Sequence, residues 1–349
     1  MADATQERLR DRDGHPSGRV ETSHHPRTDP EQEGRDYYGI PPLKEPTWTW
    51  EIPIYFWLGG IGAGAHVVST IARMLGCEDR AFLRAGRYTT LVAMLLSPIL
   101  LILDLGRPER FYNMLRIVKW RSPMSMGTWG LTLFGTLTGF VATSQAAEDG
   151  LLGRENIVAR LAGALPARLL SMLALPFGFF VGAYTGVLIG ATSVPMWARN
   201  VVLMGPTFLS SALSTGLSAI SFVLHLGDWG EKRTLEALRR AERIILFIEG
   251  VLIAASLVRM RRWGKPLRSK KLAPLFFGGT ILGGILAPLA LLSGKESRSK
   301  SLLSSALVLL GGLALRYAMV EGGKMSANDP EAYFTFAKRE NLPKPEDRV

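Results

Sequence analysis

The stretch 48-WTWEIPIYFWLGGIGAGAH-66 decides the class of the molecule. It opens an apolar run near 52–75, about twenty residues long. That is the length a helix needs to cross roughly 30 Å of hydrocarbon at about 1.5 Å per residue. Trp48, Trp50 and Trp57 suit the interfacial edge of such a span. Gly59, Gly60, Gly62 and Gly64 do not read as a phosphate loop, because no strand precedes them and they lie inside the apolar run. Small residues four apart, such as Gly60 and Gly64, instead let helix backbones approach closely in lipid.

The same pattern recurs outward from this stretch. Further apolar runs fall near 88–105, 126–143, 168–192, 201–225, 242–258, 272–292 and 301–320, so the sequence predicts an all-α integral membrane protein with eight transmembrane helices. Eight spans put both termini on one side, termed A, with the loops 106–125, 193–200 and 259–271. The loops 76–87, 144–167, 226–241 and 293–300 lie on side B. Lys and Arg counts near the spans are similar on the two sides and do not set the orientation. The 47% apolar content and positive mean hydropathy of the 349 residues agree with this class. The net charge of +11 sits between the spans, where it suits lipid headgroups and partner surfaces rather than nucleic acid. Residues 1–47 read as a hydrophilic tail, disordered or partner-bound, and 323–349 as a polar C-terminal tail. The segment 151–170 has the apolar spacing of an interfacial helix or a connector, and 229–243 reads as a charged helical entry into the sixth span.

The single cysteine, Cys77, excludes a disulfide, an all-Cys iron–sulfur site and a CxxCH haem attachment, so any redox centre has to be borrowed. His66 and His225 are the only histidines outside the tail, and their different depths argue against a shared haem. Glu51, Tyr55, Gly59, Gly62 and His66 recur every three or four residues along one broad helix face. His66 reads either as a hydrogen-bonding residue of the bundle interior or as a proton-transfer group. Asp104 and Arg107 can pair across a helical turn ended by Pro108. Arg110, Arg116 and Trp120 belong to a basic, aromatic loop of the kind that receives a partner. Glu249 and Arg316 lie inside the sixth and eighth spans, where an ionisable group needs a partner or a polar cavity.

Together, 58-LGGIGAGA-65, 104-DLGRPERFYNML-115, 122-SPMSMGTWGL-131, 182-GAYTGVLIGAT-192, 211-SALSTG-216 and 311-GGLALRY-317 resemble the NrfD-like family of polysulfide-reductase-type membrane subunits. The resemblance runs from about 48 to 320. It implies two four-helix bundles, at 48–192 and 193–322, in a bacterial or archaeal cytoplasmic membrane, with the A side and both termini outermost. It implies a quinone site in the first bundle for menaquinone or ubiquinone, with no haem or cluster on this chain. The expected partners are an iron–sulfur subunit and a molybdopterin or multihaem catalytic subunit. By motif match the pocket tyrosine is Tyr184, with His66 or Glu51 as companion and Tyr55, Gly59, Gly62, Asp104, Arg107, Trp129 and Thr185 around the quinone.

Two functions compete on these residues. One is a quinone-reactive anchor of a respiratory oxidoreductase, docking its partner through Arg110, Arg116 and Trp120 and moving protons through Glu249 and Arg316. The other is an ion or small-molecule transporter, with Glu249, Arg316, Asp104 and His66 lining the path.

Overall fold

The computed structural model describes residues 43–153, 157–294 and 297–337. The described residues contain helices and turns but no strand. The long helices are α1 (Glu51–Met74), α2 (Arg80–Leu103), α3 (Pro123–Glu148), α5 (Ala167–Gly190), α7 (Val201–Gly227), α8 (Lys232–Met260) and α10 (Arg298–Ala327). The run Pro274–Ser293 joins them, as a π-helix over Pro274–Leu286 followed by α9 (Ala287–Ser293). Short helices α4 (Ile157–Gly163), α6 (Pro195–Arg199) and α11 (Pro330–Ala337) lie between or after them, and residues Pro108–Leu115 and Arg261–Arg268 form 3-10 turns.

Six of the long helices are long and apolar enough to cross a membrane: α1, α2, α5, α7, the 274–293 run and α10. The other two places read as spans are also helical, but α3 is diluted by Gly, Thr and Ser, and α8 is continuous with the charged 232–243 segment. The segment 151–170, read as an interfacial helix or a connector, is not one element. A short α4 is followed by a turn at Ala164–Pro166, after which α5 starts at Ala167.

Contacts join α1, α2, α3 and α5 in one ring and α7, α8, the 274–293 run and α10 in another, while α7 also packs broadly on α1 and α5. That seam is made by missing side chains. A Cβ at Gly64 would stand 1.9 Å from the Ala212 carbonyl oxygen, and one at Gly216 would stand 2.3 Å from the Ala65 amide nitrogen. The two backbones are therefore in van der Waals contact, as close packing in lipid requires.

The segments set apart as tails reach into the fold. Leu43 packs on the hydrophobic core and Glu45 accepts from Asn328 at 2.9 Å, while Trp48, at the start of the first bundle, stacks on Trp197 with ring centroids 5.7 Å apart and meets the edge of Phe56. At the other end α10 runs beyond 322 to Ala327, because Gly322 and Gly323 leave the space filled by Met196 and Trp197. The rest of the tail readings, over 1–42 and 338–349, lies outside the described residues.

Candidate functional site

The motif 122-SPMSMGTWG-130 builds a notch. The Ser122 hydroxyl oxygen accepts from the Ser125 amide at 3.4 Å and caps α3, with Pro123 at the first helical position. Gly127 and Gly130 then lie one turn apart on one face. A Cβ at Gly127 would stand 2.1 Å from the Tyr184 ring, and one at Gly130 would stand 2.3 Å from the Phe180 ring. These two α5 rings are stacked in the notch, 5.2 Å between centroids. The Tyr184 hydroxyl donates to the Pro123 carbonyl at 2.7 Å, so it is held against the start of α3.

Tyr55 is buried on the neighbouring α1, and Gly59 one turn below faces the Ser97 hydroxyl of α2 across 3.9 Å from where a Cβ would sit. Thr185 is buried beside Tyr184 on α5. The Trp129 indole nitrogen is buried without a partner. A groove of about 300 Å³ between α2, the 108–115 turn and α3 adjoins this region, lined by Pro98, Phe111, Thr128 and Leu131 among others. Two larger clefts, of about 750 and 820 Å³, open toward side B, and neither these nor the groove is lined by Tyr184, Tyr55 or Trp129. The mouth on side A is polar. Thr49 donates from its hydroxyl to Glu51, and its amide and hydroxyl reach the Asp104 carboxylate at 3.4 and 3.3 Å.

Several expected pairings come out differently. Asp104 does not close a turn on Arg107, because α2 ends at Leu103 and Asp104 accepts from Thr49 while Arg107 is exposed. Burial pushes the Asp104 carboxyl above its ordinary 3.8, with Glu51 adding to the rise and the two Thr49 hydrogen bonds opposing it. His66 and Tyr184 are not brought together. His66 Nε2 lies 3.1 Å from the Ser171 carbonyl and its ring meets the edge of Phe134. The ring also borders Gly178, where a Cβ would stand 3.6 Å from its Cδ2, and Gly178 is about 9 Å from Tyr184 along α5 at about 1.5 Å per residue. Gly62 is filled by Met94 and Ala93 of α2, a helix contact rather than an opening. Arg110, Arg116, Tyr112 and Trp120 are exposed on the A-side loop.

In the second half, Glu249 and Arg316 converge on one serine-rich stretch of α7. Ser214 donates to Glu249 at 2.6 Å, and Arg316 donates to Ser211 at 2.5 Å. Glu242, which hydropathy alone leaves at the solvated edge of the sixth span, is buried as deeply and accepts from Ser218. The sequence signal for it is the set of serines at 211, 214, 218 and 221, a helical spacing of three and four. Among the described residues, no three His, Cys, Asp or Glu side chains converge as a metal-ligand set.

The family model described as "Polysulphide reductase, NrfD" matches residues 42–328. The sequence is 28% identical to a polysulfide reductase polypeptide of Wolinella succinogenes over 301 residues, covering 79% of this protein and 94% of that one. It is 27% identical to protein NrfD of Escherichia coli, covering 60% of this protein and 70% of that one. It is also 26% identical to a membrane subunit of dimethyl sulfoxide reductase, so named provisionally, from Halobacterium salinarum, covering 52% and 44%.

Proposed function

This chain belongs to the polysulphide reductase NrfD family, and on that premise we propose that it is the quinone-reactive membrane subunit of a respiratory oxidoreductase. It is a multi-pass membrane protein whose relatives are named as parts of reductases. In this reading all eight long helices cross a bacterial or archaeal cytoplasmic membrane as two four-helix bundles, with side A outward. An iron–sulfur subunit docks on the exposed loop carrying Arg110, Arg116 and Trp120, and passes electrons between the quinone pool and a molybdopterin or multihaem catalytic subunit.

The observation that carries the reading is the glycine notch holding Tyr184, with an apolar groove lined by the adjoining α3 residues Thr128 and Leu131. A bound menaquinone or ubiquinone supplies the two-electron, two-proton chemistry. Tyr184 and Tyr55 orient the ring oxygens, the unpartnered Trp129 N–H offers one more donor, and the groove takes the apolar tail. The Pro123 carbonyl is the ordinary i to i+4 acceptor for Gly127 inside α3, so releasing the Tyr184 hydroxyl does not strand it. Glu51 and Asp104, bridged by Thr49, exchange protons with the A-side water. We place His66, which reaches from Ser171 to the middle of α5 at Gly178, outside this pocket. The transporter reading draws on the buried charges of the second half, which we assign to proton movement instead.

The test is Tyr184→Phe in the intact complex. Quinol-linked turnover is expected to fall about ten-fold or more, about 1.4 kcal/mol in barrier. Loss of one hydrogen bond costs only about 0.5–1.5 kcal/mol of stability, so the protein should still assemble. Unchanged turnover and inhibitor sensitivity would overturn the assignment. Docking is tested separately by Arg110→Glu with Arg116→Glu, which is expected to release the iron–sulfur subunit in a gentle pull-down. Its full retention would place docking elsewhere.

A further inference from the structure

Three ionisable side chains in the second half are almost wholly buried: Glu242 at 1% exposure, Glu249 at 3% and Arg316 at 1%. Each costs at least about 2.5–3.5 kcal/mol to place in hydrocarbon unless its surroundings are polar. The surroundings are polar along one line only. Ser211, Ser214, Ser218 and Ser221 share a face of α7, and they meet Arg316, Glu249, Glu242 and His225 in that order. His225 is the last of these toward side B, where Arg298 binds the carbonyls of residues 225 and 226.

The line is not closed by protein atoms. Ser214 and Ser218 stand one turn apart, about 5–6 Å between Cβ atoms, which one water spans. On α10 the Ser304 and Ser305 hydroxyls are fully buried without a partner. Arg316 lies against Ser211, and a Cβ at Gly312 would meet Thr215, so the antiparallel register sets Ser304 and Ser305 near the level of residues 222 and 223. Buried hydroxyls without protein partners, beside buried carboxylates, are the setting that holds internal water. Toward side A the polar line meets an apolar plug. Arg316 lies 5.5 Å over the Phe208 ring, and Phe56, Phe208, Met204, Trp197 and Met319 fill the space beyond, relieved by the Thr207–Ser256 pair and by Asn200, which donates to Met204. Arg316 also reaches α1. A Cβ at Gly60 would come 3.0 Å from its guanidinium, five residues from Tyr55.

We infer that Glu242, Glu249, Arg316 and the α7 serines form a one-sided, water-bearing proton well. It fills from side B through Glu242 and stops at Arg316, which faces α1 opposite Gly60. The inference rests on the redox reading for its purpose but not for its geometry. A proton from B-side water binds the Glu242 carboxylate and passes through Ser218, water and Ser214 to Glu249. Only O–H bonds form and break, and nothing in the well is oxidised or reduced. Arg316 is the positioning residue: its fixed positive charge bars further proton travel and answers charge changes on the Tyr55 side of α1.

The experiment uses the intact complex in oriented proteoliposomes with a pH-sensitive dye on side B. Glu242→Gln is expected to cut the transient proton uptake from side B that follows quinol addition about ten-fold, while turnover stays within about two-fold of wild type. Glu242→Asp, which keeps a carboxyl, is expected to retain uptake. Wild-type uptake in Glu242→Gln with normal turnover overturns the well. If the wild-type complex shows no quinol turnover, the redox reading fails instead, and the well is judged on the isolated chain by infrared spectroscopy. There a carboxyl band that responds to B-side pH and disappears in Glu242→Gln supports the well, and a band unchanged by the substitution overturns it.

Discussion

The two halves satisfy their buried polar groups in different ways. In the first, the acceptors are mostly backbone carbonyls: Tyr184 on Pro123, His66 beside Ser171, Thr90 on Gly62 and Gly86, and Ser97 on Ala93. In the second, carbonyls also accept, from Trp197, Thr215 and Arg316 among others, but side chains meet side chains as well: Ser214 on Glu249, Ser218 on Glu242, Arg316 on Ser211, and Thr207 with Ser256. A carbonyl held in a helix is a fixed acceptor and never gives a proton. A serine hydroxyl both accepts and donates, and it rotates. The first half is thus suited to holding a flat ligand in register, and the second to letting protons move.

The comparison breaks most completely where the halves share a surface. Gly216→Leu drives a side chain into the Ala65 backbone, and overpacking of this kind costs about 1–3 kcal/mol or more. Both halves are expected to fail together, read as loss of the monodisperse protein in mild detergent. Survival of a folded first half alone would show that the seam is dispensable to it.

A smaller effect separates the halves. Arg316→Met takes the guanidinium away from Ser211 and the Gly312 carbonyl and removes the nearest cation acting on buried Glu249, with which it makes no ion pair, at a cost of about 1–3 kcal/mol on thermal melting. Combining it with Glu249→Leu should return a large part of that loss. Strict additivity of the two would mean that the charges do not act as a unit. Tyr184→Phe, by contrast, should cost no more than a single hydrogen bond, which is the expected signature of the carbonyl-based half.

The smallest test lies at the membrane edges and is a matter of sign. On side B, burial alone would raise the Asp79 carboxyl, but the amides of Glu231, Phe82 and Ala81 and the Thr234 hydroxyl outweigh it and hold it below the ordinary 3.8. Its stabilisation is therefore present above pH 3.8 and is lost as the pH falls through the lower folded value. On side A, Asp104 is raised, so its folded form binds the proton more tightly and stability falls as the pH rises from 3.8 through the folded value. Asp79→Asn should thus flatten the acid limb of the melting profile while its amide oxygen keeps the helix cap, whereas Asp79→Ala should cost about 0.5–2 kcal/mol at neutral pH, as loss of a helix cap does. Asp104→Asn should cost nothing near neutral pH. Equal pH profiles for the two Asn variants would remove the distinction.

Much of this is legible in the sequence, because hydrophobic run length is a local property. All eight helical runs overlap the apolar segments, but α2 and α8 begin eight to ten residues earlier as amphipathic extensions, and α3 and α10 end five to seven residues later. What is not legible depends on who faces whom. Gly59, Gly60, Gly62 and Gly64 look alike in sequence, yet Gly60 accommodates Arg316, Gly64 meets α7, Gly62 meets α2 and Gly59 borders Tyr55. Glu242 is hidden because it follows a charged helix entry, so averaging over a window makes it look solvated. Asp104 pairs most simply with its neighbour in sequence, whereas its partner Thr49 is 55 residues away. His66 and Tyr184 group together by residue type although their depths separate them.

The seam between α1 and α7 also bears on how the protein is made. The interior face of α1 is completed by residues near Ala212 and Gly216, roughly 150 positions later in the sequence. At about 5–20 residues per second of synthesis, α1 waits roughly ten to thirty seconds for the helix that covers its glycines. Through that interval its small-residue groove faces lipid or the insertion machinery. Trp48 waits about as long for Trp197. Biogenesis, rather than final stability, is therefore where a defect in this groove would first be felt, as early helices held unassembled and exposed to quality-control proteases.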